Sequence, residues 1–261
     1  MAGSIPFDRA AEYYDRTRTM SPPVHAATMQ LLSAEVAGRG TVLEIGVGTG
    51  QVALALHAGG VPMTGVDLSG PMVAKLIEKA GGRPPFPLAL ADGAALPFRA
   101  RTFGAAVLRH VLHLVPAYEE VVGEVVRVLR DGGVALVSAG WHSPVGDELE
   151  AVLSARLRSA RRHVGLDPRD VDALDAAFVA RGAAPRPLEP IVAPGTETLA
   201  EYLDSIERNV YSWTWRLSAD DRAAIASDVR TWAASRGLRP EEILDPAVET
   251  RWRAYDVPAR A

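Results

Sequence analysis

The chain has 261 residues, of which 48% are hydrophobic and 23% charged, and its net charge is −4 at pH 7. This composition is typical of a globular protein. The net negative charge argues against a nucleic-acid partner, because proteins normally bind phosphates with a positively charged surface. The sequence contains no cysteine, which excludes disulfides, a thiolate nucleophile and a thiolate metal site. No segment has the apolar length of a membrane span or the apolar core of a signal peptide, so we expect no membrane insertion and a cytoplasmic location.

Apolar runs of strand length alternate with segments of helical period in the first half of the chain. Such runs are typical of parallel strands that helices cover on both faces. The pattern predicts an α/β fold with an open, doubly wound sheet, and places strands at 41–45, 62–67, 87–92, 104–109 and 133–139.

Helix boundaries are marked by capping residues. Ser21 with Pro22 predicts a helix start, Ser69 predicts another, and Pro116 begins a third that the turn at 131–133 ends. The later part of the chain predicts helices at 147–163, 170–181, 198–209 and 218–236, with strands at 185–193 and 248–257. Arginines 156, 158, 161 and 162 on the first of these helices most simply form a solvated face, and the alternative is that they bind an anionic acceptor or partner. We therefore predict one domain over 1–261, with an N-terminal lid at about 5–36 and a helical insertion at about 194–240.

The stretch VLEIGVGTGQ places Gly46, Gly48 and Gly50 directly after the first predicted strand. A glycine-rich turn between a strand and a helix lets a ligand approach the backbone and points the helix amides at it. A dinucleotide fingerprint requires its third glycine at the position of Gln51, so the diphosphate interpretation is weakened. The alternative is a tight turn without a ligand.

Carboxylates end the next two predicted strands. Asp67 in GVDLS has the position from which an acidic residue accepts hydrogen bonds from ribose hydroxyls in nucleotide-binding folds. Asp92 with Gly93 ends the third strand in ADGAALPF. The alternatives are a carboxylate near a helix N-cap for Asp67 and a turn aspartate for Asp92.

In their order, the glycine turn, Asp67 and the DGAALPF segment resemble the class I S-adenosylmethionine-dependent methyltransferases, most closely the type related to quinone-biosynthesis C-methyltransferases (methyltransferase type 11). The resemblance covers about residues 10–140. It implies a Rossmann-like sheet of seven strands, mainly parallel with the last strand antiparallel, and S-adenosyl-L-methionine as cofactor. Glu44 and the glycines would hold the methionine part, and Asp92 the adenine amino group. The cofactor-binding residues predicted in this way are Tyr14, Arg18, Glu44, Gly46, Gly48, Gly50, Asp67, Leu68, Asp92, Gly93 and Arg109.

The N-terminal stretch FDRAAEYYDRTR also resembles the start of members of this family, in which a helix folds over the cofactor. Tyr14 and Arg18 are four residues apart and would share a helix face. Arg18 would then reach the cofactor carboxylate or the substrate, and Tyr14 would form one wall of the binding site. The alternative is a tyrosine that packs on the lid beside an exposed arginine.

The end of the fourth predicted strand reads RHVLHLVP and should face the reactive methyl group. His110 and His113 are the candidate catalytic residues, because a histidine can accept a proton near neutral pH. The alternative is that both are packing or surface residues. Methyl transfer needs no nucleophile or metal, and we predict no metal site.

Aromatic residues are the candidates for binding the methyl acceptor. Trp141 and His142 follow the fifth strand, and Tyr211 and Trp213 lie in the predicted insertion. The alternative for these aromatic side chains is core packing. The predicted function is methyl transfer to a small-molecule acceptor by in-line displacement. The alternatives are a non-catalytic protein that binds S-adenosylmethionine or S-adenosylhomocysteine, and an NAD-dependent oxidoreductase. The acceptor atom and the oligomeric state are left open.

Overall fold

The computed structural model describes residues 4–156 and 163–259. The strands are β1 Val42–Ile45, β2 Met63–Asp67, β3 Leu88–Leu90, β4 Phe103–Leu108, β5 Leu129–His142, β6 Ala184–Pro187, β7 Ile191–Ala193 and β8 Val248–Asp256. The helices are α1 Tyr14–Arg18, α2 Pro22–Val36, α3 Ala53–Ala58, α4 Gly70–Lys79, α5 Tyr118–Val128, α6 Pro144–Arg156, α7 Val171–Val179, α8 Leu199–Glu207 and α9 Ala219–Ser235.

The sheet follows the order β3-β2-β1-β4-β5-β8-β6, and β7 pairs with β8. Strands β1 to β5 pair in parallel with their neighbours, whereas β6 and β8 pair with each other in antiparallel orientation. The chain starts in the middle of the sheet, builds outwards to β3 and then returns to the other side of β1. The strand order therefore reverses between β1 and β4, where ligands of open α/β sheets bind beyond the carboxyl ends of the strands.

Alternate residues of the central strands point into two separate hydrophobic cores. On β1, Leu43 and Ile45 join the core formed with α5 and α7, whereas Val42 joins the core formed with α2, α3 and α4. Strand β4 alternates in the same way. Because side chains of a strand alternate between the faces of a sheet, helices on both faces explain why these strands are apolar throughout.

Capping residues define several helix starts that the sequence predicted. The Ser69 hydroxyl accepts from the Met72 amide at the start of α4. Thr198 with Glu201 and Ser218 with Asp221 form capping boxes at the starts of α8 and α9. These side chains satisfy amides that lack a partner in the first helical turn, so the starts can be read from sequence.

Within the part of the chain that the structure describes, the sheet has eight strands, whereas the resemblance implied seven. The run expected as one strand at 185–193 divides into β6 and β7, separated by residues 188–190. Pro190 lies in this interruption and has no amide hydrogen to donate to a neighbouring strand. Strand β5 is longer than expected and includes the predicted turn at 131–133: its register against β4 shifts between the pairs Phe103 with Leu129 and Ala105 with Val134.

The described residues form two compact units. The first comprises 4–140, 164–191 and 251–259, and the second comprises 141–156, 163 and 192–250. The second unit has its own core of side chains from α6, α8 and α9. The predicted lid and insertion remain predictions. The end of the helix expected at 147–163, with Arg158, Arg161 and Arg162, lies outside the described residues.

Candidate active site

Four strand ends of the first unit meet at one edge of the sheet. The register pairs Ile45 with Val66 on one side and with Leu108 on the other, and Asp67 with Leu90. The glycine turn after β1, Asp67 at the end of β2, Asp92 after β3 and Arg109 after β4 therefore lie along the same edge. The structure thus brings together the residues that the sequence marked at separate strand ends.

The glycine turn is built from left-handed backbone. The φ angles of Gly46, Gly48 and Gly50 are +69°, +53° and +81°, a region that side chains other than glycine rarely adopt. A Cβ added to Gly46 would lie 2.3 Å from Cγ2 of Val111. Val111, from the loop that follows β4, therefore fills the space that a side chain at Gly46 would need, and the contact of the glycines with a cofactor remains a prediction.

We expect Gly46→Ala to destabilise the protein more than Gly60→Ala. Both glycines have positive φ, but a Cβ at Gly60 meets nothing within 4 Å, so Gly60→Ala isolates the cost of backbone strain, about 1–3 kcal/mol. The clash with Val111 adds about 1–3 kcal/mol at Gly46. Chemical denaturation would measure both losses.

The double variant Gly46→Ala/Val111→Ala should recover part of the extra loss, because it removes the clashing methyl groups. Equal losses for Gly46→Ala and Gly60→Ala would show that Val111 does not constrain the turn.

The Asp67 carboxylate closes the glycine turn against β2. Its Oδ2 accepts the Gly48 amide at 2.7 Å and its Oδ1 accepts the Ser69 amide at 2.8 Å. Partial burial raises the pKa of Asp67, and these amides oppose the rise by stabilising the charged form. One carboxylate therefore orients the turn after β1 and the start of α4. The Leu68 amide also donates to it, and part of its acceptor capacity remains for a further donor.

Glu44 lies on β1 directly below the turn and is only 3% exposed. The Ala53 amide donates to its carboxylate, but Oε2 has no hydrogen-bond partner among the described residues. Burial raises the pKa of Glu44 to about 8, although the nearby Arg109 guanidinium opposes the rise. A buried acceptor without a donor is costly, so this carboxyl group is well suited to a cationic or hydrogen-bond-donating ligand.

Asp92 follows β3 and is held by two hydrogen bonds. Its Oδ1 accepts the Ala94 amide and its Oδ2 accepts the Ser4 hydroxyl, both at 3.0 Å. A Cβ at Gly93 would lie 3.2 Å from a methyl group of Ile45, so glycine permits close packing there. Leu68 follows Asp67 and remains 42% exposed at the sheet edge. An exposed apolar side chain beside Asp67 offers a surface for a flat apolar group.

The N-terminal segment is anchored across this edge by carboxylates that the sequence analysis did not single out. The Ser69 hydroxyl donates to Asp8 at 2.6 Å. Asp15 accepts from the Thr49 hydroxyl at 2.7 Å and pairs with Lys79 at 3.0 Å. These contacts join residues that are more than 30 positions apart in the sequence, so no local sequence pattern predicts them.

Tyr14, Arg18 and Arg109 lie within electrostatic range of one another. Burial raises the pKa of Tyr14, and the guanidinium groups of Arg109 and Arg18 oppose the rise. Arg109 donates to the Gln51 side chain at 3.2 Å, and burial lowers its pKa while Tyr14 and Glu44 oppose that shift. The structure therefore gathers the residues predicted from the N-terminal helix, the glycine turn and the end of β4.

His110 and His113 follow the end of β4 and lie close together. Their ring centroids are 6.3 Å apart. His110 has a φ of +57°, uncommon for a residue other than glycine. Loss of hydration lowers its pKa well below the usual value, and the charges of Arg109, His113 and Arg18 lower it further. His110 is therefore neutral, and able to accept a proton, at physiological pH.

The predicted acceptor-binding residues belong to the second unit. Trp141 and His142 end β5. Tyr211 and Trp213 stack with centroids 6.0 Å apart and pack against the core of α6, α8 and α9. The Tyr211 hydroxyl donates to Glu197. These contacts give the aromatic pair a packing role, and their contact with a substrate remains a prediction.

Comparison with known proteins identifies the family. A family model described as a methyltransferase domain matches residues 43–137. A demethylmenaquinone methyltransferase from Beutenbergia cavernae is 30% identical over 181 residues, which cover 66% of this chain and 73% of that protein. The chain belongs to the class I S-adenosylmethionine-dependent methyltransferases. The membership and the Rossmann-like fold predicted from the motifs are thereby confirmed.

Other matches agree with this methyltransferase fold. A phosphatidylethanolamine N-methyltransferase from Cereibacter sphaeroides is 39% identical over 101 residues, or 38% of this chain and 49% of that protein. The chain spans about half the length of the first curated relatives it matches. Phosphoethanolamine N-methyltransferase 2 from Haemonchus contortus, solved with phosphomonomethylethanolamine and S-adenosylhomocysteine, superposes with a TM-score of 0.57 at 18% identity, over 96% of this chain and 57% of that one.

The residues at the sheet edge fit the cofactor of this family. S-adenosylmethionine carries a positive sulfur and an ammonium group, and the buried Oε2 of Glu44 offers an acceptor without a partner among the described residues. Asp67 and Asp92 provide further acceptors at neighbouring strand ends. The donor and acceptor set therefore suits an adenosyl group joined to a cationic amino acid.

Proposed function

We propose that the protein transfers the methyl group of S-adenosylmethionine to a small-molecule acceptor. The observation that carries the proposal is the buried Glu44 carboxyl, with an oxygen that lacks a partner among the described residues, beside Asp67 at the same sheet edge. An adenosyl sulfonium compound complements this arrangement in charge and in hydrogen bonding. Bound S-adenosylmethionine supplies a methyl group that its positive sulfur already activates.

The chain would act mainly by holding the two reactants in line. Glu44 and the glycine turn would hold the methionine part, Asp67 the ribose and Asp92 the adenine. Arg18 and Arg109 bring positive charge to the same region and would bind the cofactor carboxylate. Alignment of acceptor, methyl and sulfur can supply up to about 10 kcal/mol of the barrier reduction, so no covalent catalyst is required.

His110 is proposed as the base for an acceptor that arrives protonated. Its neutral state at physiological pH supports this role, because a neutral imidazole can accept a proton. His113, whose ring is 6.3 Å away, would support the same proton transfer. A base in this position typically contributes about 10²–10⁴-fold in rate.

The proposed activity is tested with S-adenosylmethionine that carries a labelled methyl group and with fractionated small metabolites. We expect label to enter a small molecule, and His110→Gln to lower kcat by about 10²-fold or more with little change in cofactor Kd. The exposed His57 on α3, changed to glutamine, is the matched control, since it makes the same substitution away from the site. Tight cofactor binding without transfer to any acceptor would favour the non-catalytic alternative.

Calorimetry with NAD addresses the oxidoreductase alternative, which the spacing of the glycines and the family membership both oppose.

The net negative charge of the chain supports a partner other than nucleic acid. Within 4–156 and 163–259, every helix is too short or too polar to cross a bilayer. Together with the absence of cysteine, this supports the proposal that the protein works in the cytoplasm without membrane insertion.

A further inference from the structure

A small cavity of about 20 Å³ lies beside the candidate bases. The lining residues with polar side chains are His110 and His113 from the loop after β4 and Ser138 from β5. Its apolar lining includes Leu108, Leu166 and Leu174. The cavity lies in the first unit and borders the residues that would receive the acceptor's proton.

The size and chemistry of the cavity suit one water molecule. A cavity needs at least about 10–15 Å³ to hold a water, which then needs two to four polar partners. Two histidines and a serine among the lining residues can supply such partners, whereas a purely apolar cavity of this size would stay empty. The rings of His110 and His113, with centroids 6.3 Å apart, do not stack, and a bridging water can link groups that do not bond directly.

The surrounding loop is held firmly in place. The Gly165 amide donates to the His113 carbonyl and the Leu166 amide to the Leu112 carbonyl, both at 3.1 Å. Val111, which also lines the cavity, fills the space above Gly46. The cavity is therefore a fixed feature of the loop rather than a gap between loose segments.

We infer that this cavity is a water site that links His110 to His113 and Ser138 and carries away the proton released by the methyl acceptor. The inference rests on the proposed function for its catalytic part. As the acceptor bonds to the methyl carbon, its own proton passes to His110, and the electron pair of the broken carbon–sulfur bond stays on sulfur. The second ring nitrogen of His110 then releases a proton to the water, and the water passes one to His113.

The surroundings of His110 favour release of a proton that it has accepted. Burial opposes a lasting positive charge on His110, and the charges of Arg109, His113 and Arg18 add to this effect. The remaining lining, from β5 and from residues 166–174, contributes Ser138 and apolar side chains without a titratable group. His113 is the titratable partner across the cavity, which makes it and Ser138 positioning residues rather than catalytic ones.

The structural part is tested on the cofactor-free protein. A high-resolution crystal structure should show one water within hydrogen-bonding distance of at least two of the three polar groups. Ser138→Val should displace it by filling the space. Ring-nitrogen NMR should report a changed hydrogen-bonding state of both histidines in Ser138→Val, and no change in the control His57→Gln. An empty cavity in the unmodified protein would overturn the inference.

The catalytic part is tested once an acceptor is found. Ser138→Ala and His113→Gln should each lower kcat by about tenfold, a fraction of a typical acid–base contribution, with acceptor KM and cofactor Kd unchanged. Unchanged kcat and pH profile in both variants would overturn the relay even if the water is present. An ordered water without methyl transfer to any acceptor would instead refute the proposed function and the relay while leaving the water site in place.

Discussion

Binding of S-adenosylmethionine should release protons into solution at neutral pH, and Glu44 should be their main source. Burial raises the pKa of this carboxyl group to about 8, so it is mostly protonated in the free protein at pH 7. A sulfonium and an ammonium group placed beside it would favour the charged carboxylate and lower that pKa. The ligand therefore binds best to a form of the protein that has lost this proton.

The consequence is a cofactor affinity that increases with pH. Below pH 8 the Kd for S-adenosylmethionine should fall by up to about tenfold for each unit by which the pH rises, because the affinity is linked to proton release. Above pH 8 the Kd should no longer change with pH. Calorimetry in buffers of different ionisation enthalpy measures the released protons directly. Binding without proton exchange at pH 7 would contradict the assignment of Glu44 to the cationic part of the cofactor.

Glu44→Gln is the matched variant, because glutamine keeps the shape and cannot ionise. It should abolish most of the proton release and weaken cofactor binding. Since the folded-state pKa of Glu44 lies above the ordinary value of 4.5, its protonated form favours folding, and stability falls as pH rises from about 4.5 to 8.

The loss of stability that Glu44 causes between pH 4.5 and pH 8 amounts to about 3–5 kcal/mol. Glu44→Gln should therefore flatten the pH dependence of the free energy of unfolding of the cofactor-free protein. Denaturation at several pH values checks this prediction, and an unchanged slope would mean that Glu44 is already ionised in the free protein.

The sequence predicted the strand ends well because their signals are local. An apolar run, a glycine turn and a carboxylate such as Asp67 follow one another within a few residues, and parallel pairing then places every such end at the same edge. Helix starts such as Ser69 are equally local, since one side chain caps the adjacent turn.

Features that depend on distant contacts could not be predicted in this way. The close approach of Val111 to Gly46 joins the loop after β4 to the turn after β1, two segments that lie far apart in the sequence. The anchoring of Asp15 to Thr49 and Lys79 likewise depends on where a separate segment crosses the sheet. Apolar periodicity also could not distinguish one strand at 185–193 from the two that Pro190 separates.

Substitution of Asp67 is the second change from which we expect a large loss of cofactor affinity. Two different substitutions separate its structural role in the glycine turn from its role in binding the ribose. In the free protein its two oxygens accept the Gly48 and Ser69 amides. Asp67→Ala therefore leaves two donors without an acceptor, at about 1–3 kcal/mol each, and should lower both stability and cofactor affinity. A loss of binding in this variant alone would not separate the ribose contact from collapse of the glycine turn.

Asp67→Asn separates the two roles, because the amide retains one acceptor oxygen but loses the charge. Two hydrogen bonds from ribose hydroxyls to a charged acceptor contribute about 1.5–3 kcal/mol each, so we expect Kd for S-adenosylhomocysteine to rise by roughly 100-fold or more with a smaller loss of stability than in Asp67→Ala. The unmodified protein should bind the 2′-deoxy analogue of that ligand much more weakly than the parent compound, and Asp67→Asn should lose most of this preference. The exposed Asp172 on α7, changed to asparagine, controls for the substitution itself. If Asp67→Asn kept the full discrimination between the two ligands, the ribose hydroxyls would have to be bound by another group, and the adenosyl part of the cofactor would lie elsewhere along the edge.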